Sequence, residues 1–181
     1  MHWQTHLEDA AATQRLGYRL GQQLIPGSTL LLHGDLGAGK TTLVQGLGAG
    51  LGIDQAIASP TFALANEYLE GRVPLYHLDL YRLEPPAVAG LLPELYWEGE
   101  EVLPGIVAIE WAQRLPYLPP SYVNLWLEMV GDSRRATLEF VSADAIAQAL
   151  RPVLQAISGT FDGPADDRRT RRAQGDSSIN R

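Results

Sequence analysis

The sequence predicts an α/β protein with a central, mostly parallel sheet that carries antiparallel additions and is flanked by helices. The apolar run "TLLLH" leads directly into the glycine-rich stretch "GDLGAGKTT", residues 34–42, which is the strand-to-loop order of a phosphate-binding loop. A second apolar run, "GIVAIE", ends in an acid and is typical of a buried strand. The 181 residues, 45% of them hydrophobic, are enough for one sizeable core, so we expect a single domain of the P-loop NTPase type.

The first half of the chain is expected to form helix, strand, loop and helix. Leucines recur at four-residue spacing in residues 9–24 behind a cap residue, Asp9, which predicts an amphipathic helix. A second helix should begin near Lys40, directly after the glycine-rich loop. Four glycines in residues 46–52 each cost about 1 kcal/mol relative to alanine in a helix interior. This helix therefore either ends early or packs unusually close to a neighbour.

The second half alternates extended and helical segments. The stretch "EYLEGRVPLYHLDL" resembles a hairpin around Gly71, and residues 85–104 are rich in Pro, Glu and Leu, which favours a short helical excursion. Three strands are expected next, in "GIVAIEW", "YVNLWLEMV" and "RRATLEFV". The segment "SADAIAQALRPVLQAI" predicts a final helix, which Pro152 can kink.

The composition changes after residue 158. The stretch from Gly159 to the end mixes Asp, Arg, Ser and Gly and has almost no apolar residues, so it cannot bury enough surface to offset the entropy of ordering. We therefore predict an ATPase domain at residues 1–158 and a disordered tail at residues 159–181, whose arginines are more simply explained by solvation than by RNA contact.

Charge and composition exclude several classes of protein. The net charge of −7 argues against a broad nucleic-acid surface, so contact with RNA should be indirect. The chain has no cysteine, which excludes disulfides and thiolate chemistry. No apolar run is long enough for a membrane span, and the N-terminus lacks the pattern of a signal peptide. We expect a cytoplasmic protein.

The glycine-rich stretch satisfies the P-loop spacing G-x-x-x-x-G-K-T from Gly34 to Thr41. Its backbone N–H groups would surround the phosphates of a nucleotide, Lys40 would bridge the β- and γ-phosphates, and the Thr41 hydroxyl would bind Mg²⁺. The predicted nucleotide-binding residues of the loop are Gly34, Asp35, Gly37, Ala38, Gly39, Lys40, Thr41 and Thr42.

A P-loop also needs an acid at the end of a neighbouring strand, to hold the metal or the attacking water. Glu110 closes the most apolar strand of the chain, which favours a role at the metal. Asp79, in "YHLDLYR", is the second candidate. The sequence does not decide which of the two positions the water.

The motifs bear on three classes of P-loop protein: GTPases, small-molecule kinases and nucleotide-gated binding modules. The Asn-Lys-x-Asp and Asp-x-x-Gly patterns of GTPases do not occur, which favours ATP. A small-molecule kinase fits the length, and "SRR" at 133–135 could form a phosphate-clamping lid, but no acceptor site is evident in the sequence. A nucleotide-gated binding module without turnover is the third alternative.

Four motifs in order resemble those of the TsaE (YjeE) family: "GDLGAGKTTLVQGLGAGLG", "SPTFALANEY", "YHLDLYRLE" and "IEW". Together they cover roughly residues 9–140. The resemblance implies a single-domain, magnesium-dependent ATPase that helps make N6-threonylcarbamoyladenosine (t6A) on tRNA. It also implies that the protein works with TsaB and TsaD, that ATP hydrolysis resets their complex between turnovers, and that tRNA is reached only through that complex.

The resemblance also implies roles for individual residues. Lys40 and Thr41 match the phosphate and magnesium residues, Glu110 matches the acid that completes magnesium coordination, and Asp79 matches a required aspartate, which we assign to water or metal positioning. Ser59, Pro60, Thr61 and Phe62 match a switch-like segment in which Thr61 could sense the γ-phosphate.

Three further residues of these motifs and one arginine outside them are also considered for roles. Trp111 is a candidate for the site or a partner surface, although strand alternation would turn its indole away from the Glu110 carboxylate. Arg82 is either a switch contact or a surface charge, and His77 is assigned a structural role only. Arg135 aligns with an arginine near the nucleotide base, with an uncertainty of one position towards Arg134. The chain departs from the family in lacking proline after "IEW" and in having the tail.

Overall fold

The computed structural model describes residues 1–157 and 159–162, and it confirms the predicted α/β class. The strands are β1 (His2–Leu7), β2 (Thr29–His33), β3 (Ala65–Tyr68), β4 (Leu75–Asp79), β5 (Ile106–Glu110), β6 (Tyr122–Val130), β7 (Ser133–Val141) and β8 (Gly159–Asp162). The helices are α1 (Ala10–Gln23), α2 (Lys40–Leu51), α3 (Pro85–Gly90), α4 (Glu94–Glu98) and α5 (Asp144–Ala156), with a 3₁₀ turn at Ala112–Arg114.

The strands form one eight-stranded mixed sheet in the order β3-β4-β5-β2-β6-β7-β1-β8. The central strands β4, β5, β2 and β6 are parallel, and the strands on both sides of them are antiparallel additions. Because the carboxyl ends of parallel strands meet at one edge, the loops that follow β2, β4 and β5 lie side by side. Ligands of open α/β sheets bind at this edge.

Close packing explains the glycine-rich second helix. A Cβ atom on Gly46 would lie 2.0 Å from the carbonyl oxygen of Gln14, and one on Gly50 would lie 2.1 Å from that of Tyr18. The contact is reciprocal, because two glycines of α1 face α2 in the same way: Gly17 and Gly21. The two backbones could not approach so closely if these positions carried side chains. The helix does not end early, since it reaches Leu51 and terminates at Gly52 in a left-handed conformation with φ of 78°.

The core lies on both faces of the sheet. On one face α1, α2 and α5 bury leucines such as Leu20, Leu47 and Leu150 against β1, β2, β6 and β7. On the other face a smaller cluster under α3 and α4 includes Tyr76 and Ile109. Since β4 and β5 are covered on both sides, all of their residues are buried, and an acid placed at the end of either strand is held in a largely dry environment.

Strand β1 was not predicted from the sequence. It pairs with β7 and β8, and its residues alternate between exposed and buried, with Trp3, Thr5 and Leu7 directed inward. The period-two alternation of "HWQTHL" is the signal that would have identified it. The indole of Trp3 is buried in the core under this strand.

The domain boundary predicted at residue 158 differs from the structure, because β8 occupies the first four residues of the predicted tail. These residues pair with β1 through backbone hydrogen bonds, which a prediction from side-chain composition does not include. The remainder of the predicted tail, residues 163–181, lies outside the described residues. Among the helices that the structure describes, none is long and apolar enough to cross a membrane.

Candidate functional site

The glycine-rich loop connects the end of β2 to the start of α2. Gly34 has φ of 139°, and a Cβ atom there would lie 2.4 Å from the carbonyl oxygen of Leu127. Gly39 has φ of 106° and occupies the cap position of α2, where it offers no side chain to the first N–H groups of the helix. Those N–H groups are left for a ligand and lie at the positive end of the helix dipole.

A cleft of about 270 Å³ opens over this loop. It brings together residues predicted from four separate motifs: Gly37, Gly39, Lys40, Thr41, Thr42, Ser59, Thr61, Asp79, Glu110 and Trp111. Leu36 and Tyr81 complete its lining. A larger cleft of about 500 Å³ lies by β1 and α1 and is lined by Arg15 and Arg19, but the predicted site residues are not among its described lining residues. The chemistry therefore points to the cleft over the loop.

Lys40 is almost completely buried at the base of this cleft, with 4% of its surface exposed. Its Nζ donates hydrogen bonds to the carbonyl oxygens of Gly34, at 2.7 Å, and Asp35, at 2.9 Å. Burial lowers the pKa of the Lys40 ammonium below its ordinary value, while the carboxylates of Glu110, Asp79 and Asp35 act in the opposite direction. The acids thus help to keep a positive charge beside the loop.

Glu110 lies at the end of β5 and faces the start of α2. Its Oε1 accepts a hydrogen bond from Thr41 Oγ1 at 2.8 Å and lies 2.9 Å from Nε2 of His77. The Glu110 side chain is 3% exposed. A hydroxyl and a carboxylate in contact provide two oxygen ligands of the kind that Mg²⁺ prefers.

Asp79 lies opposite Glu110 at the end of the neighbouring strand, since these two residues are partners in the parallel register of β4 and β5. Its Oδ2 accepts hydrogen bonds from Thr61 Oγ1 at 2.6 Å and from Ser59 Oγ at 3.3 Å. Its Oδ1 accepts from the backbone N–H of Tyr81 at 2.9 Å. The predicted switch segment is therefore tied to an acid of the cleft through two hydroxyl groups.

Trp111 lies in the cleft, contrary to the expectation from strand alternation. Strand β5 ends at Glu110, and Trp111 has a left-handed backbone with φ of 59°, so alternation no longer determines its direction. Its indole ring centroid lies 4.3 Å from Nζ of Lys40, and its ring centroid is 4.8 Å from that of Tyr81. The indole thus covers the lysine by a cation–π contact.

Arg82 and Phe62, which follow the cleft residues Tyr81 and Thr61 in the chain, contact each other. The guanidinium of Arg82 lies 4.1 Å from the centroid of the Phe62 ring, which is 82% exposed. The predicted switch segment therefore contacts the end of β4 through Asp79 and the segment that follows β4 through Arg82.

Of the two arginines that the sequence left open as neighbours of the nucleotide base, Arg134 contacts the loop. Nε of Arg134 donates to the carbonyl oxygen of Ala38 at 2.9 Å. The adjacent Arg135 projects from the opposite face of β7, is exposed, and lies 3.9 Å from Glu128. Adjacent residues of a strand point to opposite faces of the sheet, so only one of these two arginines can face the loop. These residues also begin β7, so "SRR" is part of a strand and does not form a lid.

Sequence reasoning did not predict one contact of the site, that of His77 with Glu110, or two of its lining residues, Leu36 and Tyr81. It assigned His77 only a structural role, whereas the imidazole touches the Glu110 carboxylate. The position of His77 two residues before Asp79, on the same side of a strand, was the available signal. Tyr81 carried no signal that would have placed it against Trp111.

Comparison with known proteins gives consistent matches. The family model described as "Threonylcarbamoyl adenosine biosynthesis protein TsaE" matches residues 7–137. The protein of Nostoc sp. described as "tRNA threonylcarbamoyladenosine biosynthesis protein TsaE" is 64% identical over 121 residues, 67% of this chain and 75% of the relative. The Bacillus subtilis protein of the same description is 41% identical over 111 residues, 61% of this chain and 67% of the relative.

A solved structure agrees with these matches in fold. The crystal structure of Bacillus subtilis YdiB superposes with a TM-score of 0.66 and 30% sequence identity, and the alignment covers 86% of this chain and 94% of that chain.

Proposed function

Because this chain belongs to the TsaE family, we propose that it is a magnesium-dependent ATPase that acts in the biosynthesis of t6A on tRNA. The observation that carries the proposal is the meeting of Lys40, Thr41, Asp79 and Glu110 in one cleft over the glycine-rich loop. These residues come from three separated segments of the chain. Given this proposed role in tRNA modification, we also propose that the protein acts in the cytoplasm.

The residues of the cleft fit a magnesium–nucleotide complex. Gly39 leaves the first N–H groups of α2 free of a side-chain cap, and the buried Lys40 ammonium lies beside them, so polyphosphate has both dipolar and ionic partners. Thr41 and Glu110 would hold Mg²⁺, which takes one or two protein oxygens and completes its shell with phosphate and water. When bound, ATP supplies the bond to be hydrolysed, and Mg²⁺ neutralises charge on the phosphate oxygens.

We further propose that hydrolysis acts as a conformational timer for a complex with TsaB and TsaD. Thr61 and Ser59 are bound to Asp79, and Asp79 lies beside Glu110, so the switch segment is linked to the metal residues by a short chain of contacts. Departure of the γ-phosphate would change these contacts and with them the position of the exposed Phe62, which follows Thr61. The partner complex would respond to this change in conformation, and tRNA would be affected only through that complex.

Phosphate release tests this function directly. We expect slow, magnesium-dependent release of phosphate from ATP by the protein alone, and release about tenfold faster with the purified TsaB–TsaD pair, which corresponds to about 1.4 kcal/mol. The controls are the pair without this protein and the complete mixture with excess EDTA. If the pair has no effect, while ATP consumption rises with a small acceptor that becomes phosphorylated, the kinase alternative replaces this proposal.

The link between the switch segment and Asp79 predicts a graded effect of two substitutions. Thr61→Val removes a 2.6 Å hydrogen bond to the carboxylate, whereas Ser59→Ala removes one of 3.3 Å. Hydrogen bonds to charged groups contribute about 1.5–3 kcal/mol, so we expect Thr61→Val to slow hydrolysis at saturating ATP by about tenfold or more. Ser59→Ala should have a smaller effect. Equal rates for both variants and wild type would show that hydrolysis does not depend on this link.

A further inference from the structure

His77 is a buried imidazole that the proposed chemistry has not yet used. It lies on β4, fully buried, with Nε2 2.9 Å from Oε1 of Glu110. In the parallel register His77 is the partner of Ala108, two residues before Glu110 on β5. Because alanine is small, the imidazole can pass over it and reach the carboxylate diagonally across the two strands.

Both hydrogen bonds to the Glu110 carboxylate arrive at the same oxygen. Oε1 accepts from Thr41 Oγ1 and from Nε2 of His77, and among the described residues no hydrogen bond ends on Oε2. Rotation of the carboxylate would break both contacts together, in a site where replacement by water is limited by burial. The pair of donors therefore holds the carboxylate in one orientation.

The second ring nitrogen of His77 determines the tautomer. Nδ1 is buried and has no hydrogen-bond partner among the residues that the structure describes. A proton on Nδ1 would be an unpaired buried donor, whereas a proton on Nε2 is donated to Glu110. A proton on Nε2 thus fits the surroundings, and with it the imidazole acts as a donor to Glu110.

We propose that His77 is a positioning residue, which orients the Glu110 carboxylate and prepares it to bind Mg²⁺. The inference rests on the proposed function, because the role of His77 depends on Glu110 being a ligand of Mg²⁺. Residues that hydrogen-bond to a metal-ligating side chain, without touching the metal, typically lower the metal affinity by about 10- to 100-fold when they are replaced. His77 touches Glu110 and is not itself assigned to substrate or metal.

Binding of ADP with and without Mg²⁺ separates this role from a structural one. The probe is ADP, which avoids turnover, and affinity is measured by calorimetry once in Mg²⁺ and once in EDTA. His77→Gln keeps an amide N–H near the position of Nε2, whereas His77→Asn places its amide near the position of Nδ1, too short to reach Glu110. Tyr76→Phe is the matched control, because it removes a partly buried hydrogen bond that the same strand makes to Leu103, and Tyr76 does not line the cleft.

We expect His77→Asn to reduce the gain in ADP affinity from Mg²⁺ by about tenfold or more, while affinity in EDTA stays near that of wild type. His77→Gln and Tyr76→Phe should retain most of the gain. The inference is overturned if His77→Asn keeps the full gain, or if His77→Gln loses as much as His77→Asn. If wild type itself gains no affinity from Mg²⁺, the proposed function fails and the inference fails with it.

Discussion

Replacement of Lys40 by alanine should reduce magnesium-dependent ATP hydrolysis by about 10³-fold and should do so whether or not TsaB and TsaD are present. The ammonium donates hydrogen bonds to the loop carbonyls of Gly34 and Asp35, and it is buried where the dielectric response of water is weak. A ligand phosphate at the loop would draw the same ammonium to itself. Without Lys40 the cleft keeps the carboxylates of Asp79 and Glu110, which repel polyphosphate.

One further variant separates the charge of Lys40 from its packing, and a second controls for the loss of a cation elsewhere on the protein. Lys40→Met keeps an unbranched stem that can lie against Trp111 but has no ammonium, so we expect it to be as inactive as Lys40→Ala and to unfold at a temperature nearer that of wild type. Arg15→Ala removes an exposed cation that lies away from the cleft and should leave hydrolysis unchanged. The measurement is phosphate release together with thermal unfolding. Substantial activity in Lys40→Met would show that the ammonium is not required.

Gly46→Ala should be the most destabilising single-methyl change among the helix contacts discussed above. The added Cβ would meet the carbonyl oxygen of Gln14 at 2.0 Å, and that oxygen is part of a helix backbone and cannot rotate away. Overpacking costs about 3 kcal/mol, and the better helix propensity of alanine returns about 1 kcal/mol. We therefore expect a net loss of about 2 kcal/mol in the free energy of unfolding, or about 4–8 °C in melting temperature.

Gly90→Ala is the matched control for this prediction. Gly90 ends α3, and a Cβ atom there would meet nothing within 4 Å, so the same substitution should leave stability unchanged or slightly raise it. Urea denaturation of the two variants and wild type gives the comparison. A Gly46→Ala protein as stable as Gly90→Ala would mean that α1 and α2 are further apart in solution than in the structure.

Much of the fold could be predicted because its signals are local. The strand "TLLLH", the loop that follows it and the helix at Lys40 are adjacent in the chain, and periodicity with glycine spacing is enough to recognise them. The same holds for Asp9 as the cap of α1, whose Oδ1 accepts from the N–H of Ala12 at 2.6 Å. Strand β8 could not be predicted in this way, because it forms by backbone pairing with β1, which is far away in the sequence.

The sequence by itself determined the residue types of the candidate site: a glycine-rich loop with Lys40 and Thr41, and an acid at the end of a buried strand. Tertiary structure alone decided which side chains meet, as with His77 on Glu110, Thr61 on Asp79, and Arg134 in place of Arg135 at the loop. The physical reason is that residue types and spacing are properties of neighbouring positions, whereas these contacts depend on strand register and on single backbone angles. A shift of one residue in a strand, or a left-handed turn as at Trp111, reverses the side-chain direction.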